Sequence, residues 1–393
     1  MQITIIAGAR PNFIKIAPII RAIQQAKKDG REMHYRLVHT GQHYDKNMSG
    51  TFFDELHIPQ PNVNLGCGNG SQAEQTAHIM VAFEKELLAH PADLVLVVGD
   101  VTSTMACAIV AKKCNTRVCH VEAGIRSWDL TMPEEINRMV TDSLADYMFT
   151  TSEVANENLR RHHVQILSAS DMPSELTDMS LCGAKQLQQR AWYVGNVMID
   201  TLLANRSHFR RPAVWDELVL QEKQYIVMTM HRPANVDEEA HLKALMEQII
   251  SNARGLSVIF PIHPRTAKVF YHLWGDEEQV KCLFPNLHIV EPLGYLEFNY
   301  LVERSLVVVT DSGGITEETT VMGVPCITLR DNTERPETCT IGTNELVGTN
   351  PKAIGPALDK LFAGEWKRGA IPPLWDGHAA ERIVDVLGLL CSR

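Results

Sequence analysis

Short runs of β-branched and other apolar residues alternate with longer amphipathic segments along almost the whole chain. In the first half such runs occupy residues 2–7, 35–39, 94–98, 117–121 and 147–150, with helix-like segments such as 14–27 and 72–88 between them. Strands that are apolar throughout are typical of a parallel sheet covered by helices on both faces. The pattern restarts at 225–230, 257–262, 287–290, 306–310 and 326–329. The alternation therefore predicts an α/β fold of two doubly wound, Rossmann-like domains.

Composition and charge narrow the class of protein. The chain has 393 residues, 45% hydrophobic and 21% charged, which suits a globular protein with two hydrophobic cores. Its formal net charge is −10 and basic residues form no block, which argues against a nucleic-acid partner or an anionic membrane surface. No apolar stretch is long enough to span a membrane, and the apolar start at 3–7 is too short for a signal peptide, so we expect a cytoplasmic protein.

The nine cysteines are scattered and include no C-x-x-C pair. Several lie in strand-like or small-residue segments, as Cys107, Cys119 and Cys326 do. We interpret them as reduced packing residues and expect neither a disulfide framework nor a zinc site.

A glycine turn after the predicted strand at 306–310 has the form of a phosphate-binding site. Asp311-Ser312-Gly313-Gly314 opens a helix there, and Glu318 follows one turn later. Two glycines let the backbone approach an anion, and the free N–H groups and dipole of a helix start attract it. A simple N-cap by Asp311 or Ser312 is the alternative interpretation of this motif.

Polar residues also follow the other predicted strands. The segments are 8–15 with Arg10 and Lys15, 40–45, 99–104 with Asp100, 120–126 with Glu122, 133–138 with Glu134 and Arg138, 230–232 with His231, 263–265 with His263, and 331–337. Each alone fits a helix cap or a local ion pair, such as Glu122 with Arg126. Ligands of open parallel sheets bind at the carboxyl ends of the strands, so the joint pattern favours one cleft between the two domains.

In sequence order, these motifs resemble those of non-hydrolysing UDP-N-acetylglucosamine 2-epimerases over nearly the whole chain. The matching segments are Gly8-Ala9-Arg10-Pro11 with Lys15, Gly99-Asp100, His120-Val121-Glu122-Ala123-Gly124, Pro133-Glu134-Glu135 with Asn137-Arg138, His231-Arg232, Asp311-Ser312-Gly313-Gly314 with Glu317-Glu318, and Glu334-Arg335-Pro336-Glu337. The resemblance implies a fold like that of B-type glycosyltransferases, in which the two domains face each other across the cleft. It also implies interconversion of UDP-N-acetylglucosamine and UDP-N-acetylmannosamine for cell-surface polysaccharide synthesis, through elimination of UDP to 2-acetamidoglucal and re-addition.

The resemblance assigns roles residue by residue. Asp100, Glu122 and Glu134 are the proton-handling acids, and His231 is a further catalytic group near the diphosphate. The substrate-binding set is Arg10, Lys15, Arg138, His263, Tyr295 in the loop that frames uracil, Ser312, Gly313, Gly314, and Glu318 on the ribose. The chemistry requires groups that move protons and groups that hold the departing diphosphate, but no hydride carrier and no metal. His120 and Glu122 share a strand face, but no third metal ligand is evident.

Domain boundaries follow from the same comparison and from local composition. We expect an N-terminal domain at 1–195, a UDP-binding domain at 196–374, and a last helix at 375–393 that packs on the first domain. The segment 166–190, rich in Ser, Asp and Gln, is predicted to be a polar surface excursion longer than the family usually carries. A homodimer is expected from the resemblance.

Some family properties stay open at the level of sequence. Certain bacterial members bind UDP-N-acetylglucosamine at an activating site, for which Gln42 and His43 are candidates, but Tyr44 and Asp45 follow them instead of more basic residues. Arg10-Pro11 with Lys15 favours the non-hydrolysing branch over the hydrolysing one. Two alternatives to the main hypothesis are a 2-epimerase of a diacetamido or uronic acid UDP-sugar and a UDP-sugar-binding protein without turnover.

Overall fold

The computed structural model describes residues 1–41, 55–68, 70–167 and 189–391. The chain divides into two compact units, Met1–Ala204 with Pro373–Arg393, and Asn205–Pro372. The first division therefore falls at 204/205, where the sequence suggested 195/196, and the second falls at 372/373, where it suggested 374/375. Residues after Pro372 belong to the same unit as the N-terminus.

Unit 1 is built on an eight-stranded sheet in the order β3-β2-β1-β4-β5-β6-β8-β7, in which every neighbouring pair is parallel. Its elements are β1 (Gln2–Ala7), α1 (Arg10–Lys28), β2 (His34–His39), β3 (Val63–Asn64), α2 (Gln72–Ala89), β4 (Leu94–Val98), α3 (Thr102–Lys113), β5 (Arg117–Val121), α4 (Pro133–Leu144), β6 (Tyr147–Thr150), α5 (Glu153–Arg160), β7 (Gln165–Leu167), β8 (Arg190–Tyr193) and α6 (Val197–Asn205).

Unit 2 is built on a six-stranded parallel sheet in the order β11-β10-β9-β12-β13-β14. Its elements are α7 (Ala213–Glu217), β9 (Tyr225–Thr229), α8 (Pro233–Val236), α9 (Glu239–Asn252), β10 (Ser257–Pro261), α10 (Pro264–Trp274), α11 (Glu277–Leu283), β11 (Leu287–Val290), α12 (Tyr295–Arg304), β12 (Val307–Thr310), α13 (Gly313–Met322), β13 (Cys326–Thr328), α14 (Pro336–Thr340), β14 (Asn344–Leu346) and α15 (Ile354–Phe362). The last helix of the chain, α16 (Ala379–Cys391), packs on α1 in unit 1.

The continuous apolar strands are buried on both faces of each sheet, as their sequences predict. All five residues of β4 are buried. In β9, Ile226 and Met228 enter the hydrophobic cluster on one face, whereas Tyr225 and Val227 enter the cluster on the other. This alternation arises because successive side chains of a strand point to opposite faces of the sheet. Since both faces are covered by apolar clusters, the polar side chains of interest lie at the ends of the strands.

Strand order reverses at β1 in the sheet of unit 1 and at β9 in the sheet of unit 2, and these two places position the candidate site residues. In unit 1, β1 lies between β2 and β4, so the turns after β1 and β4 are neighbours. In unit 2, β9 lies between β10 and β12, so the turns after β9 and β12 are neighbours. Ligands of doubly wound sheets bind at such switch points because the connecting helices diverge there and leave a crevice.

The sequence prediction was wrong in some details at the sheet edges. It omitted the short strands β3, β7 and β14, and it treated 166–190 as polar surface chain, although β7 occupies its start and β8 begins at Arg190. Residues 168–188 of that segment lie outside the described residues. Within the part of the chain that the structure describes, no helix has the length and apolar character needed to cross a membrane.

Candidate active site

A buried ion pair lies at the switch point of unit 1. Lys15, on the first turns of α1, pairs with the carboxylate of Glu122, which directly follows β5, and both side chains are almost fully buried. Glu122 has a φ of 69°, in the left-handed region that non-glycine residues seldom adopt. Glu122 therefore pairs with Lys15, and the local pair with Arg126 suggested by the sequence was wrong.

Gly99, which follows β4, makes room for this ion pair. Its φ is +68°, and a Cβ at this position would lie 3.1 Å from Lys15 Nζ and 3.3 Å from Glu122 Oε2. The neighbouring turn is held by Asn12, whose Oδ1 accepts the N–H groups of Gly8 and Ala9 at 3.0 Å. The Asn12 amide donates to Val98 O at 3.0 Å, which ties the end of β1 to the end of β4.

Asp100 is anchored from α4. Arg138 pairs with the Asp100 carboxylate and, at 2.9 Å, with Glu135. The Glu135 carboxylate is fully buried and accepts Ser127 N at 2.9 Å, Ser127 Oγ at 3.0 Å and Trp128 N at 3.1 Å. Arg138 therefore acts within the protein as a link between Asp100 and the loop before α4.

Glu134 and Glu135 are adjacent but have different environments. Glu134 lies in the first turn of α4, is half-buried, and makes no hydrogen bond or ion pair with the residues that the structure describes. Its carboxylate is thus available to a ligand, while the carboxylate of Glu135 is committed to the loop. This contrast agrees with the sequence hypothesis that Glu134 is the reactive member of the pair, but does not test it.

A charged cluster lies beneath these carboxylates. His120, on β5 and fully buried, places Nδ1 2.7 Å from Asp142 Oδ1 and Nε2 2.8 Å from the carbonyl oxygen of Gly99. Burial alone would raise the pKa of Asp142, but hydrogen bonds from His120 and Arg126 and their charges lower it below its usual value. His120 therefore connects the Asp142 carboxylate to the carbonyl group of Gly99 and supports the Gly99–Asp100 turn.

The glycine turn of unit 2 has the geometry expected of an anion site. Ser312 is the N-cap of α13 and its side chain makes no capping hydrogen bond, while Gly313 and Gly314 form the helix start and are partly exposed. The buried Arg330, which follows β13, brings its Nη1 to 3.6 Å from where a Gly313 Cβ would lie. Arg330 is held by Glu334 at 2.8 Å. A guanidinium and free helix N–H groups thus face the same point.

Tyr295 and Glu318 form a second pair in unit 2. The Tyr295 hydroxyl donates to Glu318 Oε1 at 2.9 Å, and both residues are buried. Burial and the neighbouring Glu318 charge raise the pKa of Tyr295 well above its usual value, so the hydroxyl stays protonated and remains a donor. Tyr295 thus orients the Glu318 carboxylate on α13.

His231 and Asp311 meet at the switch point of unit 2. His231 lies just beyond β9 and Asp311 just beyond β12, and His231 Nδ1 is 2.8 Å from Asp311 Oδ1. The Asp311 side chain is fully buried, whereas that of His231 is half-exposed. Asp311 is therefore an internal anchor of the His231 loop, and the N-cap role considered from the sequence belongs to Ser312.

The remaining predicted site residues are placed as follows. Arg10 is the first residue of α1, and His263 is exposed at the end of β10, ahead of α10. Gln42 and His43, the candidate activator residues, lie outside the described residues. No cluster of three or more His, Cys, Asp or Glu side chains suitable for a metal ion occurs in 1–41, 55–68, 70–167 or 189–391.

Sequence reasoning missed Arg330, Glu135 and Asp142 as members of these clusters. Arg330 could have been found, because it follows the predicted strand at 326–329 and strand ends were the places inspected. Glu135 and Asp142 give no such signal, since the partners that define them, Ser127 and His120, lie on other elements.

Comparison with known proteins decides the family. A family model described as UDP-N-acetylglucosamine 2-epimerase matches residues 25–388. The chain belongs to the UDP-N-acetylglucosamine 2-epimerase family. A relative of that name from Methanocaldococcus jannaschii is 38% identical, across 98% of this chain and 99% of the relative. A UDP-2,3-diacetamido-2,3-dideoxy-D-glucuronate 2-epimerase from Pseudomonas aeruginosa is 35% identical, across 88% of each chain.

A solved structure of an epimerase from this family has the same fold as this chain. The M. jannaschii UDP-GlcNAc 2-epimerase, crystallised with UDP-GlcNAc and UDP, superposes with a TM-score of 0.83 at 37% identity, covering 98% of this chain and 99% of the other. The predicted fold class, α/β with two doubly wound domains as in B-type glycosyltransferases, is confirmed. The predicted family is confirmed as well.

Proposed function

We propose that this protein interconverts UDP-N-acetylglucosamine and UDP-N-acetylmannosamine by reversible inversion at carbon 2 of the sugar. The observation that carries the proposal is that Asp100 directly follows Gly99, the residue that lies against the buried Glu122–Lys15 pair, in a chain that aligns over its length with epimerases. Supporting groups are the anion site at α13 and the His231–Asp311 pair.

The reaction requires two bonds to break and re-form. Loss of the proton at carbon 2 and of UDP from carbon 1 gives 2-acetamidoglucal, and return of a proton to the opposite face followed by UDP gives the epimer. Asp100, Glu122 and Glu134 supply carboxyl groups for these proton transfers. Lys15 and Arg138 hold Glu122 and Asp100 in fixed positions, which is the condition for efficient transfer.

The departing UDP needs fixed positive charge and hydrogen-bond donors. In unit 2 we assign these to the N–H groups of Gly313 and Gly314, the hydroxyl of Ser312, Arg330 and His231. From unit 1 the family resemblance adds Arg10 and Lys15. Glu318, oriented by Tyr295, suits the ribose hydroxyls, and His263 is a further candidate contact at a strand end. Preorganised donors stabilise the leaving diphosphate without the reorganisation that water would need.

The P. aeruginosa relative favours a second candidate, the 2-epimerisation of a diacetamido uronic acid UDP-sugar. The two sugars differ at carbon 3 and carbon 5, so one protein sample can be given each in turn, with anomeric proton NMR as the readout. We expect UDP-N-acetylmannosamine to form from UDP-N-acetylglucosamine with a kcat/KM at least about tenfold above that for the acidic sugar. A reversed preference would favour the second candidate, and released free sugar would indicate hydrolysis instead.

We further propose a cytoplasmic homodimer, in keeping with a nucleotide-sugar substrate. Ile136 and Met139, exposed on α4, offer apolar surface for contact between copies. Light scattering should give about twice the 44.0 kDa chain mass. Gln42 and His43 remain candidates for an activator site, which a sigmoidal dependence of rate on UDP-N-acetylglucosamine would reveal.

A further inference from the structure

Asp311 has more hydrogen-bond donors around it than a cap requires. Its Oδ2 lies 3.0 Å from His231 N, 2.9 Å from Arg232 N and 3.1 Å from Asn235 Nδ2. Its Oδ1 lies 2.8 Å from His231 Nδ1. The main-chain contacts fix the loop after β9, so the carboxylate holds both the backbone and the ring of His231.

The orientation of the His231 ring follows from this contact. Because Nδ1 faces Asp311, Nε2 lies on the other side of the ring, where it has no hydrogen-bond partner among the described residues. The side chain is 48% exposed, so a ligand can reach Nε2. A free His ring can carry its hydrogen on either nitrogen, and the partner of one nitrogen decides the state of the other.

Asp311 is suited to accept a hydrogen from Nδ1. Burial alone would raise the pKa of Asp311, but the hydrogen bond from His231, its charge and the backbone N–H groups lower it below its usual value. The group is then an ionised acceptor with no hydrogen of its own. The hydrogen between the two side chains must come from Nδ1.

We propose that Asp311 is a positioning residue that fixes the tautomer of His231, with the hydrogen on Nδ1 and with Nε2 left to exchange a proton with the diphosphate of the substrate. This inference rests on the proposed function, which places His231 beside that diphosphate. The free, exposed Nε2 first takes a proton from solvent, so that the ring is an imidazolium. When the bond between carbon 1 and oxygen breaks, its electron pair goes to the phosphate oxygen, and Nε2 gives that oxygen the proton. The proton returns to Nε2 when the bond re-forms.

Asp311→Asn separates this role from a structural one. The Asn oxygen can still accept the backbone N–H groups, but its amide would donate to Nδ1 and move the ring hydrogen to Nε2. Such a ring still donates one hydrogen bond to phosphate and has no second proton to exchange. Asp→Asn in the serine protease triad acts in this way, by imposing the wrong tautomer. Thr266→Val is the matched control, because it removes the bond from Thr266 Oγ1 to Met230 O beside the same loop and leaves Asp311 in place.

The test reads the tautomer and the kinetics separately. Long-range ¹H–¹⁵N NMR of histidine-labelled protein, with the His231 signals assigned by their loss in His231→Gln, should show hydrogen on Nδ1 in the wild type and Thr266→Val and on Nε2 in Asp311→Asn. In Asp311→Asn, kcat should fall at least about 100-fold while the Kd for UDP changes less than about threefold. In a His231→Gln background, Asp311→Asn should cause little further loss of kcat.

The wild-type tautomer is measured without substrate, so it decides the inference even if Asp311→Asn folds poorly or the sugar proves to be another one. A wild-type ring with a bare Nδ1 overturns it. So does a kcat of Asp311→Asn within about threefold of wild type, or a full additional loss in the His231→Gln background. Failure of the wild type to epimerise any UDP-sugar would instead count against the proposed function.

Discussion

Gly99 and Glu122 both adopt left-handed backbone conformations at the end of neighbouring strands. Gly99 adopts this conformation at little cost in free energy. For Glu122 the same conformation costs about 1–3 kcal/mol, so the surrounding contacts must hold it in place. Two features provide that restraint: the ion pair with the Lys15 ammonium, and the space left for the Glu122 carboxylate by the absence of a side chain at Gly99. The position of the Glu122 carboxylate, which we propose is reactive, thus depends on the absence of a side chain at Gly99.

Gly99→Ala should therefore affect activity more than stability. Alanine at positive φ costs about 1–2 kcal/mol, and its Cβ would push the flexible ends of Lys15 and Glu122 aside. We expect kcat to fall about 10- to 100-fold, since small misplacements of reacting groups have effects of that size. Gly66→Ala is the control: φ is also +68° and nothing lies within 4 Å. It should lose similar stability, measured by urea unfolding, and keep its kcat. Equal kcat values in both variants would contradict this account of Gly99.

Removal of one member of the buried Lys15–Glu122 pair should be costly. Lys15→Met leaves a buried carboxylate without its cation, so unfolding free energy should fall by about 3–5 kcal/mol. The double variant Lys15→Met/Glu122→Gln should recover much of that loss of unfolding free energy, because no unpaired buried charge remains. It should not recover activity, because the carboxylate that we propose is reactive is gone. Arg254→Met, in the exposed pair with Asp359, should cost less than about 1 kcal/mol. A Lys15→Met loss as small as that of Arg254→Met would show that the pair is not buried.

At the scale of elements, one buried carboxylate caps the start of α16. Asp200, on α6, accepts the N–H groups of Ala379 at 3.1 Å and Ala380 at 2.6 Å, at the start of α16. These are among the groups at a helix start that have no partner within the helix. Ile383 and Leu387 on the same helix are fully buried. The cap and the apolar face together hold the end of the chain on unit 1.

Burial raises the pKa of Asp200 from 3.8 to about 6, against the lowering effect of the two N–H donors. The folded protein thus binds this proton more tightly than the unfolded chain, and Asp200 contributes stability at low pH that is lost as the pH rises through 4 to 6. Relative to Asp200→Asn, which cannot ionise, the wild type should lose about 2–3 kcal/mol across that window in urea unfolding. Asp385→Asn, at an exposed acid of the same helix, is the control and should show little pH-dependent difference. A constant difference for Asp200→Asn, or one of opposite sign, would contradict the burial argument.

The helices and strands of this fold differ in how well their positions could be predicted from the sequence. Central strands such as β4 and β6 were predicted with their observed bounds because they consist largely of buried apolar residues. The edge strands β3 and β14 have two or three residues and partly exposed side chains, so no apolar run marks them. The Asp200 cap joins residues far apart in sequence, and only the folded chain brings them together.

At the scale of the whole molecule, the proposed function assigns different chemistry to the two units. The carboxylates Asp100, Glu122 and Glu134 lie in unit 1, and the proposed anion site at α13, with Arg330 and Glu318, lies in unit 2. Strand-end positions and glycine spacing made Asp100, Glu122, Glu134 and Glu318 candidates from the sequence, and the same strand-end rule would have found Arg330. Buried partners such as Glu135 and Asp142 were not predicted, because such a partner is set by the packing of distant elements and not by local sequence.

This division predicts separate effects on binding and turnover. Glu122→Gln should reduce kcat by at least about 100-fold, and its Kd for UDP, measured by calorimetry, should stay within about threefold of wild type. Glu318→Ala should raise the Kd for UDP by about tenfold, because a ribose-binding carboxylate is lost. Arg330→Gln should do the same through the diphosphate. If Glu122→Gln weakened UDP binding as much as Glu318→Ala, the proposed division between the units would be wrong.

We infer that the protein removes and replaces the proton at carbon 2 of a UDP-sugar. Incubation with UDP-N-acetylglucosamine in heavy water, followed by proton NMR and mass spectrometry, tests it directly. We expect both UDP-N-acetylglucosamine and UDP-N-acetylmannosamine to be present, each carrying one deuterium at carbon 2, with no exchange in Glu122→Gln. Epimer formation without deuterium, or recovery of unlabelled and unchanged substrate with the wild type, would contradict the claim.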